Sequence, residues 1–505
     1  MASRTLAKGF GVFVFAVAAC TWTLAAQNPF SPLASLDAGD GFMSQARYGE
    51  AFDAYVHARS SDEAAVRIKA GAGMVRALLR VARFSDARRE GAVVAERDPG
   101  NASALAVYGD ALWASGLFLE AESAYSRALA IDANDPGALH GRGRSLAAQG
   151  LSDAALADVT KAQQASPRDP AYTYTLATIF EDLRRYDDAA DALTRFVALL
   201  PKRDDTDMGA WARTQAVFLR NFRGRTPFQL VSTERTYTVP FRVEGGRLLV
   251  KGRVNEGREV DFAIDTGSDR TILTPAYAQA SNVVSMGTLA SAGIGELGIG
   301  FRDLQVALID DFEIGGLHMK NVSGLIKAPT LQGLPRAEGN GFSPVALGLS
   351  MSVDYGRHLL TMAEDLPAAT YETRLPLRMQ RLPVVAGTIN GDTRASFVVD
   401  TGGEVTSVSR AIAAGLDVAP DARRVPVRIF GSSGWDTRAF LLPFVNIAFA
   451  PGVGLEQRSV VVLNLNAPSA MLGFNLGGII GHEFLSRYTV AIDLRRHEVG
   501  LQPLR

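Results

Sequence analysis

The spacing of apolar positions changes character about half-way along the chain. From about Ser35 to Pro201 the chain is rich in alanine and leucine, and these recur at the three-to-four-residue spacing of amphipathic helices. After Arg235 the apolar positions fall in short runs of β type, separated by glycine, asparagine and proline. A chain of 505 residues exceeds one ordinary core, so we expect several domains, the first all-α and the later ones mainly β.

The helical half repeats with a period of 34 residues. One set of positions at this interval is alanine and a second is mainly aromatic: Ala87, Ala121, Ala155 and Ala189, and Phe84, Phe118, Ser152 and Tyr186. Pro136 and Pro170 recur likewise, while an earlier unit at Tyr48-Gly49-Glu50-Ala51 is slightly out of phase. One such unit cannot bury its apolar face alone, so the units are expected to stack.

The unit that contains Tyr108-Gly109-Asp110-Ala111-Leu112, Gly116, Glu120-Ala121 and Tyr125 resembles the tetratricopeptide repeat. The resemblance implies antiparallel helix pairs in a curved solenoid over residues 35–222, with Asp207 to Phe222 as a solvating end helix. Such solenoids commonly offer a surface for peptides or partner proteins, and a spacer without a ligand is the alternative. Residues 223–234, broken by Gly224 and Pro227, are predicted to be a linker.

The β half contains a duplicated frame. Asp265-Thr266-Gly267 and Asp400-Thr401-Gly402 are 400 − 265 = 135 residues apart, and each follows an apolar strand-like run. The same offset pairs further positions: Gly252 with Gly387, Asn255 with Asn390, Phe262 with Phe397, and Thr271 with Thr406. Before each motif, an asparagine-containing turn between two apolar runs predicts a β-hairpin, at Asn255-Glu256-Gly257 and at Asn390-Gly391-Asp392.

On this frame the β half resembles the pepsin/retropepsin superfamily of aspartic peptidases, with one lobe at 235–368 and the other at 369–505. The resemblance implies a mainly-β two-lobed acid-protease fold in which Asp265 and Asp400 form the catalytic dyad. It also implies a supporting set, with reciprocal hydrogen bonds between the two threonines: Thr266, Gly267, Ser268, Thr401, Gly402 and Gly403. No metal or organic cofactor is required by this chemistry, because two adjacent carboxyls sharing one proton activate water themselves.

The two lobes depart from the family pattern in different ways. Ile479-Ile480-Gly481 matches the family's later apolar-apolar-glycine element, whereas Gly339-Asn340-Gly341 stands in that place in the first lobe. We therefore expect a less regular support beneath Asp265. Ser268 could offer its hydroxyl to the neighbouring carboxylate, and Gly403 cannot. Asp354 and Asp493 recur near the lobe ends and are expected to be structural.

A cover over the active site is also implied by the family. We expect hairpin tips at 292–298 and 429–435, with these substrate-covering residues: Gly293, Gly295, Gly431, Ser432, Ser433 and Gly434. The first stretch also fits the Gly-x-Gly-x-x-Gly dinucleotide fingerprint, but it neither follows a clear strand nor opens a helix, so the cover is favoured. His482-Glu483 lacks the second histidine of a zinc motif, and His482 is expected to start a helix.

Composition and the amino terminus limit the partners and the location. Lys+Arg 52 against Asp+Glu 53 leaves a net charge of −1 without a basic stripe, which argues against nucleic acid as a partner. Residues 1–26 have the basic start and apolar run of an export signal. Val17-Ala18-Ala19-Cys20 resembles a bacterial lipobox, which would lipidate the sole cysteine, Cys20. Cleavage near Ala25 or Ala26, or retention as an anchor, are the alternatives, and all three place the bulk of the protein outside the cytoplasm, periplasmic or membrane-anchored.

Three functional interpretations follow from the sequence. The first is an aspartic endopeptidase of the bacterial cell envelope whose Asp265/Asp400 dyad cleaves peptide bonds, with the repeats recruiting protein substrates or partners. The second is a catalytically weak or inactive peptide-binding scaffold that uses the repeats and the protease-like cleft. The third keeps the enzyme but pairs equivalent lobes between two chains.

Overall fold

The computed structural model describes residues 31–201, 207–292, 299–327, 339–416, 424–431 and 434–504. The first part is a solenoid of antiparallel helix pairs closed by a single further helix. Its helices are α1 (Pro32–Ser44), α2 (Tyr48–Ala58), α3 (Ala64–Arg80), α4 (Phe84–Arg97), α5 (Ala102–Ala114), α6 (Phe118–Ile131), α7 (Pro136–Ala148), α8 (Ser152–Ala165), α9 (Pro170–Asp182), α10 (Tyr186–Leu199) and α11 (Asp207–Arg220). The predicted all-α solenoid is confirmed.

The 34-residue period sets where the helices begin and how closely they approach. The second helix of successive pairs begins at Phe84, Phe118, Ser152 and Tyr186. The four alanines at the same interval are fully buried: Ala87, Ala121, Ala155 and Ala189. A methyl group added to Gly109 or Gly141 would lie 2.5 or 2.1 Å from the ring of Tyr125, so the aromatic ring fills the space that small residues leave.

The β region consists of two similar units. The first contains β1 (Gln229–Leu230), β2 (Thr236–Pro240), β3 (Arg242–Glu244), β4 (Arg247–Val254), β5 (Val260–Ile264), β6 (Thr271–Leu273), α12 (Pro275–Ala280), β7 (Ser285–Ala292), β8 (Ile299–Ile314), β9 (Leu317–Ile326), β10 (Asn340–Phe342), β11 (Ser350–Asp354) and β12 (Leu359–Ala363). Strands β9, β6, β10, β5, β4 and β8 pair in that order, and β8 pairs again with β9, which closes a six-stranded barrel.

The second lobe repeats this plan. It contains β13 (Thr373–Pro376), β14 (Arg378–Gln380), β15 (Leu382–Ile389), β16 (Thr393–Val399), β17 (Ser407–Ser409), α13 (Arg410–Ala413), β18 (Val425–Pro426), β19 (Ile429–Gly431), β20 (Gly434–Asp436), β21 (Phe440–Ala450), β22 (Val453–Leu463), α14 (Asn466–Leu472), β23 (Gly478–Ile480), α15 (His482–Leu485), β24 (Tyr488–Asp493) and β25 (Glu498–Pro503). Its barrel is β15-β16-β23-β17-β22-β21, closed by pairing of β21 with β15. The mainly-β two-lobed fold is therefore confirmed.

The duplication of the two lobes extends to individual hydrogen bonds. Both predicted hairpins form, as β4–β5 and β15–β16. Asn255 and Asn390 each adopt a positive φ at the turn, of 47° and 51°. The side-chain oxygen of Asn255 accepts the amide of Asp311 at 3.1 Å, and that of Asn390 accepts the amide of Asn446 at 3.0 Å. The two asparagines therefore have the same role in both lobes, which is to tie the hairpin turn to the next long strand.

A six-stranded sheet joins the lobes within one chain. Its order is β13-β25-β24-β11-β12-β2, with three strands from each lobe, and β11 and β24 meet at its centre. The intramolecular sheet fixes the two barrels relative to each other. It provides within a single chain the pairing that the third functional interpretation assigned to two chains.

The solenoid packs against both lobes rather than standing apart. Helix α11 and its neighbours share a buried cluster with β8, β9 and α14 of the β region. Trp113, Phe118 and Tyr125 share another with strands of the second lobe. The predicted linker at 223–234 is not a free connection, because β1 within it pairs with β9 of the first lobe. The backbone amides of Phe228 and Val231 also donate to carbonyls of β9.

The predicted leader at 1–26, including Cys20, lies outside the described residues. Within the described ranges, no helix has both the length and the apolar character needed to cross a bilayer. The localisation stays a prediction.

Candidate active site

The two Asp-Thr-Gly loops leave matching strands of the two barrels. Asp265 follows β5, and its amide donates to the carbonyl of Phe342 at 2.9 Å. Asp400 follows β16, and its amide donates to the carbonyl of Ile480 at 3.0 Å. In each lobe the accepting strand runs parallel to the strand that carries the aspartate. A rigid pair of strands therefore presents each carboxyl at the same point of its barrel.

The two threonines link the loops by a reciprocal network. The Thr266 amide donates to the hydroxyl of Thr401 at 3.2 Å, and the Thr401 amide donates to the hydroxyl of Thr266 at 3.0 Å. Each hydroxyl donates in turn across the interface, Thr266 to the carbonyl of Val399 at 2.6 Å and Thr401 to that of Ile264 at 2.9 Å. Both threonines are fully buried. Both side-chain hydroxyls are thus used to fix one loop against the other.

The glycines of the two loops lie directly under the opposing carboxyls. A Cβ added to Gly267 would lie 2.6 Å from the carboxyl carbon of Asp400. A Cβ added to Gly402 would lie 2.6 Å from that of Asp265. These distances are below any real contact of a side-chain carbon, so glycine is required on both sides. The same distances place the two carboxyls face to face across the lobe interface.

The surroundings raise the pKa of both carboxyls. Burial, then the negative charge of Asp400, raise the pKa of Asp265 to about 7, against smaller opposing effects of the Gly267 amide and Lys327. Burial also raises the pKa of Asp400, but the amides of Gly402 and Gly403 oppose it. Asp265 and Asp400 are each partly exposed as whole residues.

Backbone donors make the pair unequal. Oδ1 of Asp400 accepts the amides of Gly402 at 2.8 Å and Gly403 at 3.0 Å. Oδ1 of Asp265 accepts the amide of Gly267 at 3.0 Å. Hydrogen bonds to a carboxylate favour its charged form, so these contacts favour the charged form of Asp400 over that of Asp265.

Ser268 does not act as expected, and the residues after it were not predicted. Its hydroxyl donates to the carbonyl of Arg270 at 2.9 Å rather than to a carboxylate. Asp269 forms an ion pair with Arg381, and Arg270 donates to Gln215 of helix α11 at 2.6 Å. No pattern in the sequence points to these contacts, because the matching residues of the second motif carry different side chains.

The expectation of a less regular support beneath Asp265 is wrong. Strand β10 pairs in parallel with β5 in the register that β23 has with β16, so Gly341 and Phe342 occupy the places of Ile479 and Ile480. The apolar-apolar-glycine element of the first lobe therefore begins at Gly341 and not at Gly339. The sequence does not show this, because a glycine takes the place of Ile479. Phe342 is fully buried and supplies the missing apolar contact.

The described residues that flank the two predicted cover stretches form paired strands. The strands β7 and β8 pair on either side of the first stretch, with Gly293 and Gly295 outside the described residues. In the second, Gly431 pairs with Gly434, while Ser432 and Ser433 lie outside the described residues.

Three other predicted residues have local roles. His482 begins α15. The carboxylates of Asp354 and Asp493 accept backbone amides of the turns that follow them, at 2.9 Å in each case. Within the described ranges, no cluster of three or more His, Cys, Asp or Glu side chains could hold a metal ion.

Two family models match the chain. The aspartyl protease model matches residues 250–350, and the tetratricopeptide repeat model matches 73–136 and 140–204. No curated protein matches the chain.

Solved structures of other proteins are similar to part of this chain. A thermophilic tetratricopeptide repeat protein of Thermus thermophilus is 19% identical over 38% of this chain and 100% of its own, with a TM-score of 0.30. MamA is 17% identical over 33% of this chain and 91% of its own, with a TM-score of 0.22. YrrB, a repeat protein described as having an unusual peptide-binding site, is 16% identical over 39% of this chain and 95% of its own, with a TM-score of 0.22.

The family matches agree with the two-lobed geometry around the doubled motif. Tetratricopeptide repeats at 73–136 and 140–204 are thus followed by an aspartyl protease domain match at 250–350.

Proposed function

We propose that the protein is an aspartic endopeptidase that cleaves peptide bonds with a water molecule activated by Asp265 and Asp400. The observation that carries the proposal is the opposition of the two carboxyls, each seated over the glycine of the other lobe. Their raised pKa values supply what the chemistry needs, a pair that holds one proton near neutral pH.

The unequal hydrogen bonding supports one assignment of roles in the resting pair. Asp400, the better stabilised carboxylate, accepts a proton from the bound water as the water oxygen attacks the peptide carbonyl. Asp265 donates its proton to the carbonyl oxygen, which gives a neutral tetrahedral diol. Asp400 then returns its proton to the leaving nitrogen as the C–N bond breaks. Asp265 recovers a proton from the diol, and the products are a carboxylic acid and an amine.

We further propose that the solenoid recruits protein substrates. The support is its position, because it packs on both lobes and encloses with them a cavity of about 1520 Å3. Arg168 lines this cavity from the solenoid side. Arg168→Glu should lower kcat/KM several-fold for a long denatured protein and leave the cleavage of a short peptide unchanged. Equal effects on both substrates would contradict recruitment.

The cell envelope is the proposed location, supported by the signal-like pattern of residues 1–26. Expression of the full chain in a bacterial host, followed by separation of periplasm, membranes and cytoplasm, tests this directly. Membrane association that is lost in Cys20→Ala would support a lipid anchor. Recovery of the protein in the cytoplasm would contradict export.

The experiment for the activity is incubation of the purified protein with a denatured protein between pH 4 and pH 7. Fragments should accumulate, and a statine-containing peptide, which mimics the tetrahedral diol, should prevent their formation. Absence of fragments at every pH, together with measurable binding of the same peptide, would instead favour the peptide-binding scaffold.

A further inference from the structure

The catalytic loops of the two lobes are backed by different elements. Behind Asp400, the short helix α15 donates its first two backbone amides to the loop, from His482 to the carbonyl of Gly403 at 2.7 Å and from Glu483 to that of Glu404 at 3.0 Å. These bonds hold the loop from within its own lobe.

The first lobe cannot form the first of these bonds. The register that pairs Phe342 with Ile264, and Ile480 with Val399, makes Pro344 the counterpart of His482. Proline has no amide hydrogen to donate. The carbonyl of Ser268, which matches that of Gly403, therefore lacks the donor that its counterpart has.

Helix α11 of the solenoid covers the same place from outside. Trp211, Gln215 and Phe218 are spaced four and three residues apart and so share one face of the helix. Gln215 accepts a hydrogen bond from Arg270 at 2.6 Å, and the guanidinium of Arg270 lies 4.9 Å from the ring centre of Phe218. Trp211 stacks beneath Arg381, whose partner is Asp269.

These contacts lead by short steps to the dyad. Arg270 is only 6% exposed, and its backbone carbonyl accepts the hydroxyl of Ser268. The Ser268 amide donates to the carbonyl of Asp265 at 3.3 Å. At the matching positions of the second lobe, Glu404 is exposed and Val405 is 37% exposed. The solenoid thus covers one catalytic loop and leaves the other open.

We propose that helix α11 positions the catalytic loop of the first lobe, with Gln215 and Arg270 as the positioning residues that replace the backbone support Pro344 removes. The inference rests on the proposed peptidase function. It makes the solenoid part of the catalytic apparatus and not only a recruiting surface, because displacing a reacting group by less than about 1 Å can cost a large factor in rate.

The test uses the full chain with Gln215→Met, Arg270→Met, the double variant, and Arg213→Ala as a control at an exposed position of the same helix. Arg270→Met leaves the side-chain oxygen of Gln215 without its donor, and Gln215→Met leaves both Arg270 and Glu181 without a partner, so each should lower thermal stability. The double variant leaves Glu181 as the unpaired group and should recover part of the stability lost in Gln215→Met. With a short peptide substrate, kcat should fall about tenfold in the single variants and stay low in the double variant, with KM unchanged.

Recovery of kcat together with stability in the double variant would mean a merely structural contact and would overturn the proposal. Unchanged kcat in Gln215→Met would do the same. If the wild type itself cleaves nothing, the proposed function fails, and a second readout still tests positioning. For each chain, the thermal midpoint is compared with that of the same chain carrying Asp265→Asn. The difference between the two midpoints, plotted against pH, follows protonation of the dyad. Gln215→Met should move this curve to lower pH, and an unmoved curve would overturn the proposal.

Discussion

The loop around Asp265 and the loop around Asp400 share one backbone geometry but are supported from different directions. Each aspartate follows a barrel strand, bonds to a parallel neighbour and lies over the opposite glycine. The contacts on the far side of the two loops differ. The second loop is held by α15 of its own lobe, whereas the first meets Arg381 and helix α11. The backbone contacts that place the two carboxyls are therefore present in both lobes, whereas the contact with the solenoid is present only in the first.

The largest effect is expected from adding a methyl group to either of the glycines that lie against the opposing carboxyls. Gly267→Ala and Gly402→Ala each place a carbon 2.6 Å from an opposing carboxyl, so the loops must move apart. Peptide cleavage should fall by at least about a hundredfold in either variant. Gly49→Ala, where an added methyl meets nothing within 4 Å, is the matched control. A strong loss on one side only would mean that the two loops are not equivalent at the centre.

The second-largest effect is expected from removing the hydrogen bonds between the two threonines. Thr266→Val and Thr401→Val remove buried hydroxyls that each donate once and accept once. Each change should lower the free energy of unfolding by about 2–3 kcal/mol, measured by denaturant titration. Thr238→Val, at an exposed hydroxyl pair, should have almost no effect. Equal losses in all three variants would show that the network adds no special stability.

The dependence on pH distinguishes the raised carboxyl from an ordinary one. Burial and Asp400 raise the pKa of Asp265 to about 7 from 3.8, so between these values the folded chain keeps a proton that the unfolded chain releases. Stability supplied by this group is therefore present at low pH and lost as pH rises toward 7. Asp265→Asn removes that loss, so its thermal midpoint should exceed that of the wild type more at pH 7 than at pH 4. A constant difference would mean that the pKa is not raised.

The smallest effect concerns the asymmetry at Ser268. Ser268→Ala removes the hydrogen bond to the carbonyl of Arg270 at 2.9 Å and the longer one from the Arg270 amide at 3.5 Å, and it touches neither carboxylate. The free energy of unfolding should fall by about 1 kcal/mol, and the pH profile of cleavage should keep its shape. A displaced pH profile would show that the hydroxyl acts on the dyad after all, as its place in the motif suggested.

Much of the fold could be predicted from the sequence because it is repetitive. A 34-residue period with small residues at fixed places requires stacked helices, and a 135-residue offset that also carries the hairpin asparagines indicates two equal lobes. The misplacement of β10 had a physical cause, since Gly341 fills an apolar position and only the strand register identifies it.

The contacts between the solenoid and the lobes could not be predicted. Gln215 and Arg270 are 55 residues apart, and nothing in their local pattern distinguishes them from other polar residues on a helix or loop. The role of Pro344 has no signal in the sequence, because its missing amide matters only once its counterpart His482 is known. Long-range polar contacts of this kind depend on how whole domains dock, which periodicity does not encode.

The central claim is that one dyad is divided between the two lobes, and the most direct measurement is peptide cleavage by Asp265→Asn and by Asp400→Asn. Asp392→Asn, on the exposed turn of the β15–β16 hairpin, serves as the control. Each dyad variant should lose about a thousandfold or more in kcat while remaining folded, and the control should match the wild type. Cleavage retained by either dyad variant at the wild-type rate would contradict the account.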